Sequence, residues 1–82
     1  MNLYLISQEE NNEYDTYDSA VVAAKDEMTA RRMDPTSGKL MTAEKWLWGH
    51  WCTSPDKVKV KLIGKAIKGT DKGVICSSFN AG

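Results

Sequence analysis

The stretch Tyr14–Ala24 constrains the fold most, because a polar half meets an apolar half within it. Tyr14–Asp18 is acidic and aromatic, whereas Ser19–Ala24 is small and β-branched, which is typical of a buried strand. Asp26 follows as a helix N-cap, and Pro35 ends that helix because the residue before a proline is pushed out of helical geometry. We therefore predict a surface segment, either loop or strand start, that leads into a buried strand and then a short helix.

Three other stretches have the composition of strands. Met1–Ser7 has apolar residues on both faces, Lys57–Ile67 alternates aliphatic residues with lysine, and Val74–Phe79 follows a glycine-rich turn. The predicted fold is a single α+β domain over residues 1–82, in the order β-β-α-β-β. Its four-stranded sheet is mostly antiparallel, with one helix packed on a face and an irregular tryptophan-rich segment. Each consecutive pair of strands can form a hairpin, and the strand order is left open.

The composition fits a folded domain, since 41% of the residues are hydrophobic and 27% are charged. No apolar run approaches the length of a membrane span, about 18 residues or more. The beginning of the chain also lacks the pattern of a secretory signal. We therefore expect a soluble protein that stays inside the cell that makes it.

Three tryptophans lie close together, beside a short helix that we predict over Ala43–Trp48, with Thr42 as its cap and Gly49 as its stop. Trp46, Trp48 and Trp51 have two interpretations. They close one end of the core, or they form part of a partner-binding surface, because tryptophan is enriched at binding hot spots.

The residues that most often carry chemistry do not form a recognisable catalytic set. His50 and Cys52 have a His-x-Cys spacing, but zinc sites need four well-spaced ligands, and no group is evident that would orient a Cys–His pair. We expect Cys52 and Cys76 to be reduced, small core residues. The sequence therefore predicts a protein without catalytic activity, metal or cofactor.

Charge is unevenly distributed although the net charge is zero. The segment 1–18 carries five acidic residues and no basic ones, while 57–72 is lysine-rich. Either the two segments neutralise each other, or each forms a binding surface. Carboxylates beside tyrosine hydroxyls suit the binding of arginine clusters on a protein. The candidate partner contacts are Glu13, Tyr14, Asp15, Tyr17, Asp18, Trp48 and Trp51.

The lysine row Lys59, Lys61 and Lys65 is a second candidate surface, because lysines at this spacing lie on one strand and contact phosphates in nucleic-acid-binding proteins. It lacks interleaved aromatic residues, and lysines on an edge strand also serve to prevent aggregation. A nucleic-acid-binding accessory protein is therefore an alternative to a protein-binding one.

Four stretches of the sequence carry a resemblance to known proteins: Tyr-Asp-Thr-Tyr-Asp-Ser-Ala-Val-Val-Ala-Ala at Tyr14–Ala24, Leu-Tyr-Leu-Ile-Ser-Gln near the start, Trp51-Cys52, and Gly-Val-Ile-Cys-Ser-Ser-Phe-Asn-Ala-Gly at the end. In these stretches the chain resembles a family of small phage and prophage proteins. This resemblance covers both ends of the chain and little of Pro35–Leu47. The resemblance implies a bacterial host cytoplasm during infection and gives no catalytic residue.

The size and this context lead to the expected function. Many small phage α+β proteins, anti-CRISPR proteins among them, counter host defence by binding a defence component and blocking it. The comparison with this chain is an analogy of size and context and not of motif. We expect a non-enzymatic inhibitor of a bacterial defence component such as a CRISPR–Cas complex. The remaining alternatives are a small-nucleotide-binding sponge and a virion or morphogenesis protein. We also expect a homodimer, because a thin core leaves apolar surface to cover.

Overall fold

The computed structural model describes residues 1–11 and 15–80. Within these residues the chain forms a four-stranded sheet and two short α-helices, which confirms the predicted α+β class. The elements in chain order are β1 (Asn2–Ser7), β2 (Thr16–Ala24), α1 (Glu27–Arg31), α2 (Ala43–Trp48), a 3₁₀ turn (Pro55–Lys57), β3 (Lys59–Lys65) and β4 (Gly73–Asn80). Strand β2 begins three residues before the predicted Ser19, so the aromatic and acidic Thr16–Asp18 segment belongs to the sheet.

The strand order is β3-β1-β2-β4, and all neighbouring pairs are antiparallel. Strands β1 and β2 form one of the two possible hairpins, whereas β3 and β4 lie at opposite edges of the sheet and do not pair with each other. The connection over residues 66–72 crosses one end of the sheet, and the Ala66 N–H donates to the Met1 carbonyl on the way, at 3.0 Å. The connection has to span about 15 Å from one edge strand of the sheet to the other, and seven residues are long enough for this.

Helix α1 packs on one face of the sheet because β2 presents small side chains there. Ala20, Val22 and Ala24 are at most 2% exposed, and Ala30 of the helix is fully buried against them. The predicted cap is confirmed, since the Asp26 carboxylate accepts from the Thr29 N–H at 2.8 Å. A helix of five residues is too short to be stable alone, so this packing stabilises it.

The rest of the buried face is closed by residues outside the helices and strands. Met33, Trp51, Cys52 and Val58 lie in the same buried cluster as Tyr4 and Ile6 of β1. The connector between the helices, residues 32–42, folds back on itself, and an isolated antiparallel bridge joins Met33 to Leu40.

Gly38 sits where this connector approaches the start of β4. Its φ angle is +74°, and an added Cβ atom would lie 2.9 Å from the Gly73 Cα atom and 3.0 Å from the Val74 nitrogen. Gly69 also has a positive φ angle, +95°, but nothing lies within 4 Å of its Cβ position. The two glycines therefore share a backbone requirement, and only Gly38 has a packing requirement as well.

This difference predicts the outcome of two matched substitutions. Gly69→Ala should lower the free energy of unfolding by about 1–2 kcal/mol, from the left-handed backbone alone. Gly38→Ala should lower it by about 1–3 kcal/mol more, because a methyl group would collide with the backbone of β4. Urea unfolding followed by circular dichroism measures both values. Equal losses for the two variants would show that the connector does not pack tightly on β4.

Candidate binding groove

An open groove of about 880 Å³ lies at the end of the sheet where β2 begins and β4 ends. We call it the binding groove. It runs between this end of the sheet and the segment 34–51, and its walls combine aromatic and charged side chains. The residues that line the groove include Asp15, Tyr17, Asp34, Glu44, Lys45, His50, Trp51 and Phe79.

The aromatic wall is formed by Tyr17 and Phe79, which are cross-strand partners on β2 and β4. Their ring centroids are 4.8 Å apart, and the rings are tilted by 56°. Such a pair contributes about 0.5–1.5 kcal/mol beyond the area it buries. Phe79 remains 45% exposed, so the pair offers an apolar surface to the solvent that fills the groove.

Trp51 closes the base of the groove from within the core. It is only 2% exposed, and its indole Nε1 is buried with no hydrogen-bond partner among the described residues. This burial agrees with the interpretation that Trp51 closes one end of the core, and the groove that Trp51 lines leaves its role as a partner contact a prediction. Trp48 is the last residue of α2, and its side chain lies outside what the structure describes.

The opposite wall is held in place by the carboxylate of Asp34, which is 5% exposed. Its Oδ1 atom accepts from the Thr36 N–H at 2.7 Å and from the Thr36 hydroxyl at 2.6 Å. Its Oδ2 atom accepts from Lys45 Nζ at 2.7 Å. Burial opposes ionisation of Asp34, yet the hydrogen bonds from Lys45 and Thr36 outweigh it and lower the pKa of the carboxyl. Asp34 thus ties the connector to α2.

The lowered pKa gives a pH dependence with a definite sign. The stabilisation from ionised Asp34 is complete above its ordinary pKa of 3.8 and is lost as the pH falls through the lower folded-state value. At neutral pH, Asp34→Asn should lower the free energy of unfolding by about 1–2 kcal/mol, because Lys45 and Thr36 lose an ionised acceptor. Denaturant unfolding between neutral and acidic pH measures this loss.

The control for that experiment is Asp71→Asn, at an exposed position in the β3–β4 connection. We expect a much smaller change in stability from it at every pH. A wild-type protein and an Asp34→Asn variant of equal stability at neutral pH would refute the structural role of Asp34.

The acidic side of the groove is fixed by backbone contacts to the segment after α2. The Tyr17 N–H donates to the His50 carbonyl at 2.8 Å, and His50 Nδ1 lies 3.0 Å from the Asp15 carbonyl. Asp15 has a φ angle of +62°, a conformation that aspartate tolerates better than most residues. Asp15 and Asp18 are both exposed, and Asp18 accepts from the Ser19 hydroxyl at 3.1 Å. Of the other predicted contacts, Glu13 and Tyr14 lie outside the described residues.

Two further carboxylates of the acidic segment have structural partners. Glu10 accepts from the Thr53 N–H at 2.8 Å and from its hydroxyl at 2.6 Å, which lowers the pKa of the Glu10 carboxyl. Glu9 lies 3.2 Å from Lys59 Nζ on β3. The acidic and basic segments therefore do meet, as one of the two charge interpretations predicts. Lys59 is engaged there, while Lys61 and Lys65 are exposed on the edge strand β3.

The two cysteines have opposite environments. Cys52 is buried, and this burial raises the pKa of its thiol to about 11. Cys76 is exposed on β4, so the expectation that it is a core residue is wrong. Among the described residues no group of three or more histidine, cysteine, aspartate or glutamate side chains is placed to hold a metal ion.

This contrast predicts a single reactive thiol in the native protein. Ellman's reagent should label Cys76 rapidly and Cys52 only after unfolding, because the reagent needs an accessible thiolate. The Cys76→Ser variant should show no rapid labelling. Rapid reaction of that variant would mean that Cys52 is accessible.

Comparison with known proteins does not extend this description: no family model, no curated protein and no solved structure matches the chain. In the part of the chain that the structure describes, no helix is long and apolar enough to cross a membrane.

Sequence reasoning did not identify Asp34, Lys45, His50 and Phe79 as groove residues. None belongs to a motif, and they come together only when α2 and its connector pack beside the end of the sheet. The one local signal was Phe79, an aromatic residue near the end of the uncharged strand β4.

Proposed function

We propose that the protein is a non-enzymatic binding protein and that the binding groove, with the adjacent Asp15 and Asp18, is its partner-binding surface. The observation that carries the proposal is the exposed Phe79 ring, tilted against the Tyr17 ring, in a groove that also presents the carboxylates of Asp15 and Glu44. Aromatic side chains flanked by charge are typical of binding hot spots.

The charges of the rim indicate what kind of partner fits. Lys45 is engaged by Asp34, so these two groups offset each other. Asp15 and Glu44 remain on the groove wall, and the exposed Asp18 follows Tyr17 in β2, so the charges beside the groove are acidic. An arginine side chain satisfies both features, since its guanidinium pairs with carboxylates and stacks on aromatic rings. We infer that the partner presents an arginine-containing segment.

We further propose that the partner is a component of bacterial defence, with CRISPR–Cas complexes as leading candidates, and that the protein acts in the cytoplasm of an infected host. This finer proposal is supported by the resemblance of Tyr14–Ala24 and the chain's end to small phage proteins, and by the small size of the chain. An arginine-rich surface is what a nucleic-acid-binding defence complex would offer to an acidic inhibitor.

The test compares two charge-matched double variants. Asp15→Asn with Asp18→Asn removes two rim charges while keeping side-chain shape, and asparagine tolerates the positive φ angle of residue 15. Asp56→Asn with Asp71→Asn removes two charges at other exposed positions. Each protein is expressed in bacteria that carry one defence system, including a CRISPR–Cas system, and a sensitive phage is plated. The wild-type protein and the second variant should restore plaque formation.

We expect the first variant to bind its partner at least about tenfold more weakly, which is roughly 1.4 kcal/mol, and therefore to restore fewer plaques than the second variant. Equal restoration by both variants would refute the proposed surface but not the target class. No restoration by the wild-type protein in any of these strains would refute the target class. Circular dichroism of each purified variant confirms that the fold is retained.

A further inference from the structure

The two edges of the sheet differ in charge. The seven residues of β3 include Lys59, Lys61 and Lys65, whereas the eight residues of β4, Gly-Val-Ile-Cys-Ser-Ser-Phe-Asn, include neither a charged residue nor a proline. Lysine and proline on an edge strand are devices that prevent it from pairing with another chain. Strand β3 has such protection, and β4 has none.

Strand β4 is also accessible along most of its length. Every residue from Ile75 to Phe79 is exposed, and the side chains of these two end residues are 53% and 45% exposed. Among the described strands β4 pairs only with β2, and its outer side makes no backbone hydrogen bond to another described element. Its outward N–H and C=O groups therefore form a template for one more strand.

We propose that the strand that pairs with β4 is β4 of a second copy of this chain, antiparallel to it across a two-fold axis. Charge selects this arrangement. Two β3 edges would place lysine rows against each other, which is unfavourable. A β3 edge on a β4 edge would leave a free β4 at one end and continue as an open filament. Only the β4–β4 contact joins two neutral edges and closes.

The resulting dimer contains one continuous sheet of eight strands, twice the four of each chain. Both of its outer edges are β3 strands, so the lysine rows protect the sheet at either end from further pairing. The distribution of charge over the two edges thus agrees with a dimer and not with a larger assembly.

The geometry of the pairing selects the test substitutions. Directly opposite residues of an antiparallel pair share a face of the sheet, so a two-fold axis places one residue of β4 opposite itself. With Ser77 on the axis, Cys76 of one copy lies opposite Ser78 of the other. Cys76→Lys with Ser78→Lys, at two exposed positions, therefore places like charges opposite each other twice in the dimer, while leaving the side chains of Ser77 and Phe79 in place. The matched control is Leu62→Lys with Ile63→Lys on β3, where the two residues are 59% and 47% exposed.

Sedimentation equilibrium measures the mass of each protein over a range of concentrations. With rising concentration, the mass of the wild-type protein and of the β3 control should rise from the single-chain value of 9.1 kDa to twice that value, and the β4 variant should keep the mass of a single chain. A second measurement, on the wild-type protein alone, follows amide hydrogen exchange at high and low concentration. Exchange should slow with concentration at alternate amides of β4 and stay unchanged in β3.

Each other outcome overturns the proposal. A wild-type protein with the mass of one chain up to its solubility limit has no such interface. A dimer that survives the β4 substitutions, or one that the β3 substitutions also dissociate, uses a different surface. If the β4 variant fails to fold, exchange of the wild-type β4 amides that does not depend on concentration refutes the pairing by itself.

Discussion

The fold depends on the close contact between α1 and the small side chains of β2. A chain of this length buries only about 60% of the surface that its unfolded form exposes, so its core is small. A poor fit between the helix and the sheet would therefore not be offset by packing elsewhere. Ala20, Val22 and Ala24 bring the helix close enough for Ala30 to be fully buried. Larger side chains on this face would lift the helix and open the core beneath it.

Because α1 has only five residues, it covers only part of the face, and the rest is closed by chain without regular structure. Such chain needs other constraints. Asp34 supplies acceptors for Thr36 and Lys45, Gly38 permits close approach to β4, and the Thr42 hydroxyl caps α2 by accepting from the Lys45 N–H at 3.3 Å. These constraints also shape the groove, since Asp34, Thr42 and Lys45 lie on its wall. Stability and the candidate site therefore share the same residues.

Local signals were sufficient to predict the elements but not their arrangement. The cap residues Asp26 and Thr42 mark helix starts through hydrogen bonds to amides a few residues ahead, so the sequence alone predicts them. Strand order is different, because β3 and β4 are consecutive in the chain and yet separated by two other strands. No local pattern distinguishes a hairpin connection from one that crosses the end of the sheet. The burial of Trp51 and the exposure of Cys76 have the same explanation. The sequence shows that a residue is apolar or lies on one face of a strand, but only the tertiary fold decides whether other residues cover it.

Phe79 connects the candidate groove to the proposed dimer, because it lies both on the groove wall and near the end of the β4 edge. In an antiparallel β4–β4 pair, the beginning of the second copy's β4 lies beside Phe79. The surroundings of the groove then differ between a single chain and a dimer. In the proposed dimer, a partner that contacts Phe79 would bind these two states with different affinity, and by linkage it would shift the equilibrium between them. The two proposals are thus coupled through one ring, even though Asp15 and Asp18, which we propose for partner recognition, lie in the turn before β2 and on β2.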